Sequence, residues 1–287
     1  MTPASKIIAE KHRRAFAAEL DKPDDELDLE LAALLIAAED EAHLDVDVTD
    51  YRSRLDELGQ RARERVAAVA PGMGIEAFNR FMFDEEGFHG NEKDYYDPRN
   101  SYLNQVLDRR MGLPLTLSIV YMVVGRRAGL SVAGIGLPGH FIVRASEGGQ
   151  LEETFVDPFY GKTVTLYECQ ERLAQINEEP VRLDPADLYD YHPRVMIGRL
   201  LINLNDIYKN ANLYRQTLAV VERMLIVTKF TAPWEIRERA TLLAQLDRLP
   251  EAIAALQTYL TYHVHSSSLE QAREQLHALQ RKQAMRN

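Results

Sequence analysis

The sequence predicts an α+β fold followed by an all-helical tail, and three observations carry that prediction. Apolar residues recur at helical spacing up to Gly129, short β-rich runs replace them between Ser131 and Pro158, and past residue 186 the helical period returns with an internal echo. The boundaries read as an N-terminal helical arm over 1–26, a first domain over 27–185 and a tail over 186–287.

The first stretch, "MTPASKIIAEKHRRAFAAEL", is basic but interrupted by Glu10 and Glu19, and no apolar signal core follows it. It reads as a surface helix. "DLELAALLIAAEDEAHL" places Leu29, Ala32, Ala33, Ile36 and Ala37 at helical spacing. "TDYRSRLDELGQRARERVAAV" follows with Thr49 or Asp50 as N-cap and Tyr51, Leu55, Leu58, Ala62 and Val66 on one face. "PGMG" breaks the pattern before a short aromatic-rich helix, "IEAFNRFMFDEEGF". Residues 87–100, "GFHGNEKDYYDPRN", form a polar loop long enough to suggest a function of its own. The next helix, "SYLNQVLDRRMG", is expected to be capped by Ser101 and ended by Gly112. Pro114 then opens a helix that runs to Gly129, apolar nearly all round and so expected to be buried.

"VAGIGL", "HFIVRA" and "ETFVDP" read as adjacent antiparallel strands, separated by turn signals at Pro138-Gly139 and Glu147-Gly148-Gly149. "TLYECQERLAQI" returns to helix, and "NEEPVRLDPADLYDYHP" reads as the domain boundary. In the tail, "YRQTLAVVERML" superposes on "LPEAIAALQTYL" at an offset of 35, with Thr217 on Ala252, Leu218 on Ile253, Val221 on Leu256 and Leu225 on Leu260. That period is close to that of a tetratricopeptide helix–turn–helix.

Composition narrows the function classes. A formal charge of −10 argues against a nucleic-acid binder. The longest apolar run, "LPLTLSIVYMVVG", is too short and hydroxyl-rich to span a bilayer. A single cysteine, Cys169, excludes an intramolecular disulfide framework and makes the cytoplasm the expected compartment. The histidines show no ligand-like spacing; His263 and His265 stand two apart beside serines. Neither a metal nor any other cofactor is expected.

Chemistry concentrates at two strand ends. His140 follows the Pro-Gly turn and Asp157 closes a neighbouring run, so the two side chains can meet across adjacent strands as a base oriented by a carboxylate. An equally simple reading has His140 bonding local backbone and Asp157-Pro158 starting a turn.

Residues 81–161, above all "NSYLNQVLDRRMGLPLTLSIVY" and "LPGHFIVR", closely resemble the bacterial SirB-type family, and "LDLELAALLIAAEDEAHLDVDVTDYRSRLDEL" fits it as well. The resemblance implies a papain-like transglutaminase core joined to a tetratricopeptide-type tail, with a nucleophile-bearing helix packed on strands that carry His and Asp. It assigns His140 and Asp157 to those two roles. Counting back from Arg126-Arg127-Ala128-Gly129 puts the cysteine position at or next to Pro114, in "GLPLTLS", and Pro114 has no nucleophile. Thr116, Ser118 and Cys169 are the candidate substitutes. Against them stands the habit of buried Ser and Thr to bond the carbonyl one turn back, and of a lone cysteine to act as a small hydrophobe. Tyr95, Tyr96, Arg99, Asn100 and Pro114 are candidates to line the cleft, although Asn100 also reads as a helix cap.

Two functions follow. One is a non-catalytic protein- or peptide-binding or regulatory module, with the tail as platform. The other is an amide-bond hydrolase or acyl transferase using His140 as base, Asp157 as its orienter and Thr116, Ser118 or Cys169 as nucleophile.

Overall fold

The computed structural model describes residues 3–40, 46–148, 153–177, 182, 188–262 and 269–285. The chain separates into two compact units, Met1–Leu200 and Leu201–Asn287. The expected boundary at 185–186, and His263 and His265, lie outside the described residues.

The first unit opens with helices α1 (Pro3–Leu20), α2 (Leu29–Glu39) and α3 (Val48–Ala67). Asp28 caps α2 by accepting from the Leu31 N–H, and Asp47, not Thr49 or Asp50, caps α3. Helix α4 (Gly74–Asn79) passes into a π-helical turn over Arg80–Glu85. A strand pair that the sequence did not signal comes next. β1 (His89–Gly90) runs parallel to β2 (Met111–Gly112), on either side of α5 (Leu103–Arg109). Two expectations are overturned here. Gly112 is a strand residue, so α5 ends instead at Arg110, which takes the left-handed conformation (φ 57°) and turns its carbonyl to the His89 N–H. Ser101 sits one residue outside the N-cap position and makes no cap.

Helix α6 (Pro114–Arg127) is buried along nearly its whole length, as its all-round apolar pattern predicts. It packs on a four-stranded antiparallel sheet in the order β3 (Leu130–Leu137), β4 (His140–Glu147), β5 (Thr154–Asp157), β6 (Lys162–Val164). The Pro138–Gly139 turn, with Gly139 at φ 68°, pairs Leu137 with His140. Helix α7 (Leu166–Asn177) follows the sheet.

Strand alternation decides which helix each residue faces. Gly134, Phe141 and Val143 share one face, toward α6: a Cβ on Gly134 would lie 2.8 Å from the Phe141 ring and 3.1 Å from Met122 of α6. Ile135, Leu137 and Ile142 point the other way and form a core with Val164 and with Cys169 and Leu173 of α7. His140, paired with Leu137, belongs to this second face.

The second unit contains most of α8 (Pro193–Asn210), then α9 (Tyr214–Val227), α10 (Pro233–Gln245), α11 (Leu249–Tyr262) and α12 (Leu269–Ala284). The offset of 35 seen in the sequence recurs in the backbone. Asn212 and Asp247 both take positive φ (55° and 62°), and the closing bonds Leu213 N–H to Tyr208 O and Arg248 N–H to Leu243 O are equivalent, each 2.9 Å. Leu218, Val221, Leu225, Ile253 and Leu256 line the core of this unit, with Leu260 packed against it.

Candidate functional site

His140 Nε2 lies 2.8 Å from Asp157 Oδ2. Continuing the β4–β5 register from Val143↔Val156 sets Asp157 opposite Ile142, two residues from His140 on the same face. The imidazole spans that diagonal gap. Both groups are buried, Asp157 to 1% exposure.

The turn reading of Asp157 also holds. Oδ1 accepts from the Phe159 N–H at 3.1 Å and the Tyr160 N–H at 3.3 Å, closing the turn into β6. Oδ2 takes a second donor that the sequence reading missed: Arg172 Nη1 of α7, at 2.6 Å. Arg172 also lies 4.0 Å over the Tyr160 ring. Its signal in the sequence is faint: one turn after Cys169, it flanks the apolar face of an amphipathic helix. Both oxygens of Asp157 are thus committed, and its charge is shared between an imidazole and a guanidinium.

The candidate nucleophiles divide by face. Thr116 and Ser118 belong to α6, which packs on the side of the sheet away from His140. The Thr116 hydroxyl donates to the Asn100 carbonyl at 2.7 Å and accepts from the Leu113 N–H at 3.0 Å, a capping role. Ser118 Oγ is buried and has no hydrogen-bond partner among the described residues, so it departs from the expected bond to the preceding turn. Cys169 does share the His140 face. With Leu137, His140, Asp157, Val164, Glu168, Arg172 and Leu173 it lines a cavity of about 10 Å³, room for a single water. Burial, reinforced by the nearby Asp157 charge, pushes its thiol up to about 11. At neutral pH it is a thiol, and no hydrogen bond joins it to His140 among the described residues.

The expected cleft residues also separate. Phe159 connects Tyr95 to His140, with ring centroids 6.0 Å from Tyr95 and 6.3 Å from His140, and Tyr96 packs on Tyr95. Burial and the neighbouring Tyr96 and Tyr160 raise the Tyr95 phenol above its usual value. Arg99 turns back to Asp97. Asn100 is fully buried and organises the loop, donating to the Asp94 and Tyr95 carbonyls and accepting from Asn91 and Arg109. Pro114 is buried at the first position of α6. Among the described residues, no cluster of His, Cys, Asp and Glu could hold a metal ion, and no helix is long and apolar enough to cross a membrane.

Residues 49–202 match the transglutaminase-like superfamily and residues 204–277 the tetratricopeptide repeat. A UPF0162 protein of Xylella fastidiosa is 32% identical over 259 residues, covering 88% of this chain and 90% of that one. A UPF0162 protein of Vibrio cholerae is 28% identical over 205 residues, 71% and 75% of the two chains. The F-box only protein 21 of Mus musculus is 33% identical over 108 residues, 35% of this chain and 17% of that one. By fold and by these likenesses, the chain belongs to the transglutaminase-like superfamily and to the SirB-type UPF0162 proteins, and it joins its transglutaminase-like domain to a tetratricopeptide tail.

Proposed function

We propose that this is a non-catalytic transglutaminase-like protein acting as a protein- or peptide-binding, regulatory module. The observation that carries the reading is the separation of the parts by the sheet: the base and its carboxylate face α7, while the helix that would present a nucleophile packs on the other face and starts with Pro114. Asp157 supports it further. In a working triad the carboxylate stabilises the imidazolium that forms during proton transfer. Here Arg172 already neutralises that charge, so the pair works as a brace for the turn at Phe159–Tyr160. The rim of Tyr95, Tyr96 and Tyr160 then presents aromatic surface to a peptide, with His140 as a polar anchor for its carbonyl or carboxylate. The tail serves as the platform for a protein partner. The shared stretch is a small part of the longer F-box only protein 21, which fits a module used inside other architectures.

One observation favours an enzyme: Cys169 lines the same cavity as His140. A thiol-directed acyl probe on the full chain separates the readings. The binding module gives no labelling at pH 7.5 that depends on His140. Labelling of Cys169 that is lost in His140→Ala, with circular dichroism unchanged, overturns it.

A further inference from the structure

Away from the His140 face, helix α3 and the end of α5 enclose a polar cavity of about 100 Å³ lined by Arg54, Glu57, Leu58, Arg61, Leu107 and Arg110. Three guanidiniums around one space repel one another unless something holds them. Each is held twice. Arg54 pairs with Asp108 at 2.8 Å, and Arg61 and Arg110 share the buried Glu86 carboxylate at 2.5 and 3.0 Å. Each also lies over an aromatic ring: Arg54 over Tyr51 at 4.7 Å, Arg61 over Phe81 at 5.5 Å, and Arg110 over Phe88 at 4.7 Å. Arg110 reaches this position from its left-handed backbone at the end of α5. Burial makes its proton easier to lose than an ordinary arginine's; Glu86 opposes this, while Arg54 and Arg61 add to it.

The local charges balance in number: three cations meet two engaged carboxylates, Glu86 and Asp108, and a third, Glu57, exposed in the cavity wall and paired with none of the three arginines among the described residues. Guanidinium forks aligned by rings and carboxylates are preorganised donors for an oxyanion, which they grip through paired N–H bonds. We infer that this cavity is a binding site for a phosphate group, carried by inorganic phosphate or by a small phosphate monoester. The inference stands apart from the function proposed for His140, since none of its residues belongs to that site.

The test is isothermal titration of the full chain with inorganic phosphate and with glycerol phosphate, in chloride buffers of matched ionic strength. Saturable binding is expected. Tighter binding of the ester assigns the site to phosphate esters, and equal binding assigns it to the free anion. Arg61→Gln, at a half-exposed side chain, is expected to weaken affinity about tenfold or more. Arg61→Lys, which keeps the charge and loses the fork, falls between the two. Glu57→Gln tightens binding by removing a competing anion. The outcomes that overturn the site are heats that do not saturate, binding unchanged in Arg61→Gln, or weaker binding in Glu57→Gln.

Discussion

Replacing Arg172 with methionine removes the guanidinium while keeping much of its apolar stem over Tyr160. In the native chain the side chain makes a charge-assisted bond to a carboxylate that is 1% exposed, and is itself 27% exposed. A hydrogen bond to a charged group contributes about 1.5–3 kcal/mol and a cation–π contact at a partly exposed site about 0.5–1. The partial exposure of Arg172 and the remaining His140 donor favour the low end, so the expected cost is about 2 kcal/mol. For a unit of this size that corresponds to a fall of roughly 4–8 °C in the midpoint of the first unfolding step. Near-ultraviolet circular dichroism of the full chain follows it, because Tyr160 and Phe159 lie in the affected turn. The pairing also predicts non-additivity. With Asp157→Asn in the background, Arg172→Met costs less, since no buried carboxylate is left uncompensated. A midpoint within about 1 °C of wild type, together with additive double-mutant behaviour, refutes the claim that Arg172 braces this carboxylate.

Three further outcomes follow. Native Cys169 reacts slowly with iodoacetamide: with its thiol near 11, about one molecule in a thousand carries thiolate at pH 8, and labelling accelerates toward that value. Labelling at pH 7 as fast as free cysteine contradicts the assignment. In the tail, burial raises the Glu235 carboxyl, with Thr228 opposing and Glu238 adding, so its folded value exceeds its unfolded one. The ionised form therefore costs stability above the folded value, and the cost disappears as pH falls to the unfolded value near 4.5. Glu235→Gln should raise the tail's melting midpoint at pH 7 and leave it unchanged near pH 4; the Thr228 hydroxyl, 2.6 Å from the carboxylate in the native chain, can still donate to the amide oxygen. Thr116→Val leaves the Asn100 carbonyl and the Leu113 N–H with only their mutual 3.3 Å bond and costs about 1 kcal/mol in thermal unfolding, whereas Thr116→Ser restores most of it.

What was legible in the sequence is what local chemistry encodes. The Pro-Gly turn, the β-rich runs and the aspartate before a proline were enough to place His140 and Asp157 on neighbouring strands. The repeat at 35 residues marked helices whose capping turns superpose at the same interval. What was not legible depends on long-range pairing. β1 and β2 are two residues each and lie twenty-two residues apart in the chain, too short for any periodic signal. Their ladder turns Gly112 from an expected terminator into a strand residue. Arg172 was missed for a related reason: a charged residue beside an apolar helix face reads as solvent-exposed until the opposing carboxylate is known. Asn100 read as a cap or a cleft contact because the loop it gathers has no pattern of its own.

The face on which each residue lies is the least legible feature and the one with the greatest consequence. Thr116 and Ser118 are close in sequence to the expected nucleophile position, and nothing in their spacing tells which side of the sheet they meet. Once the β3–β4 register is known, alternation sends Phe141 toward α6 and His140 toward α7, and a one-residue shift would reverse both. The His140–Asp157 pair then has a sufficient structural reason to exist. One oxygen of Asp157 closes the turn between β5 and β6, and the other joins the start of β4 to α7 through His140 and Arg172. A carboxylate that ties two strands and a helix together is needed whether or not a proton is ever transferred. Its presence in the chain is therefore no argument for catalysis; only an ionised nucleophile on the same face would make it one, and Cys169, which does line that face, is held as a thiol at neutral pH.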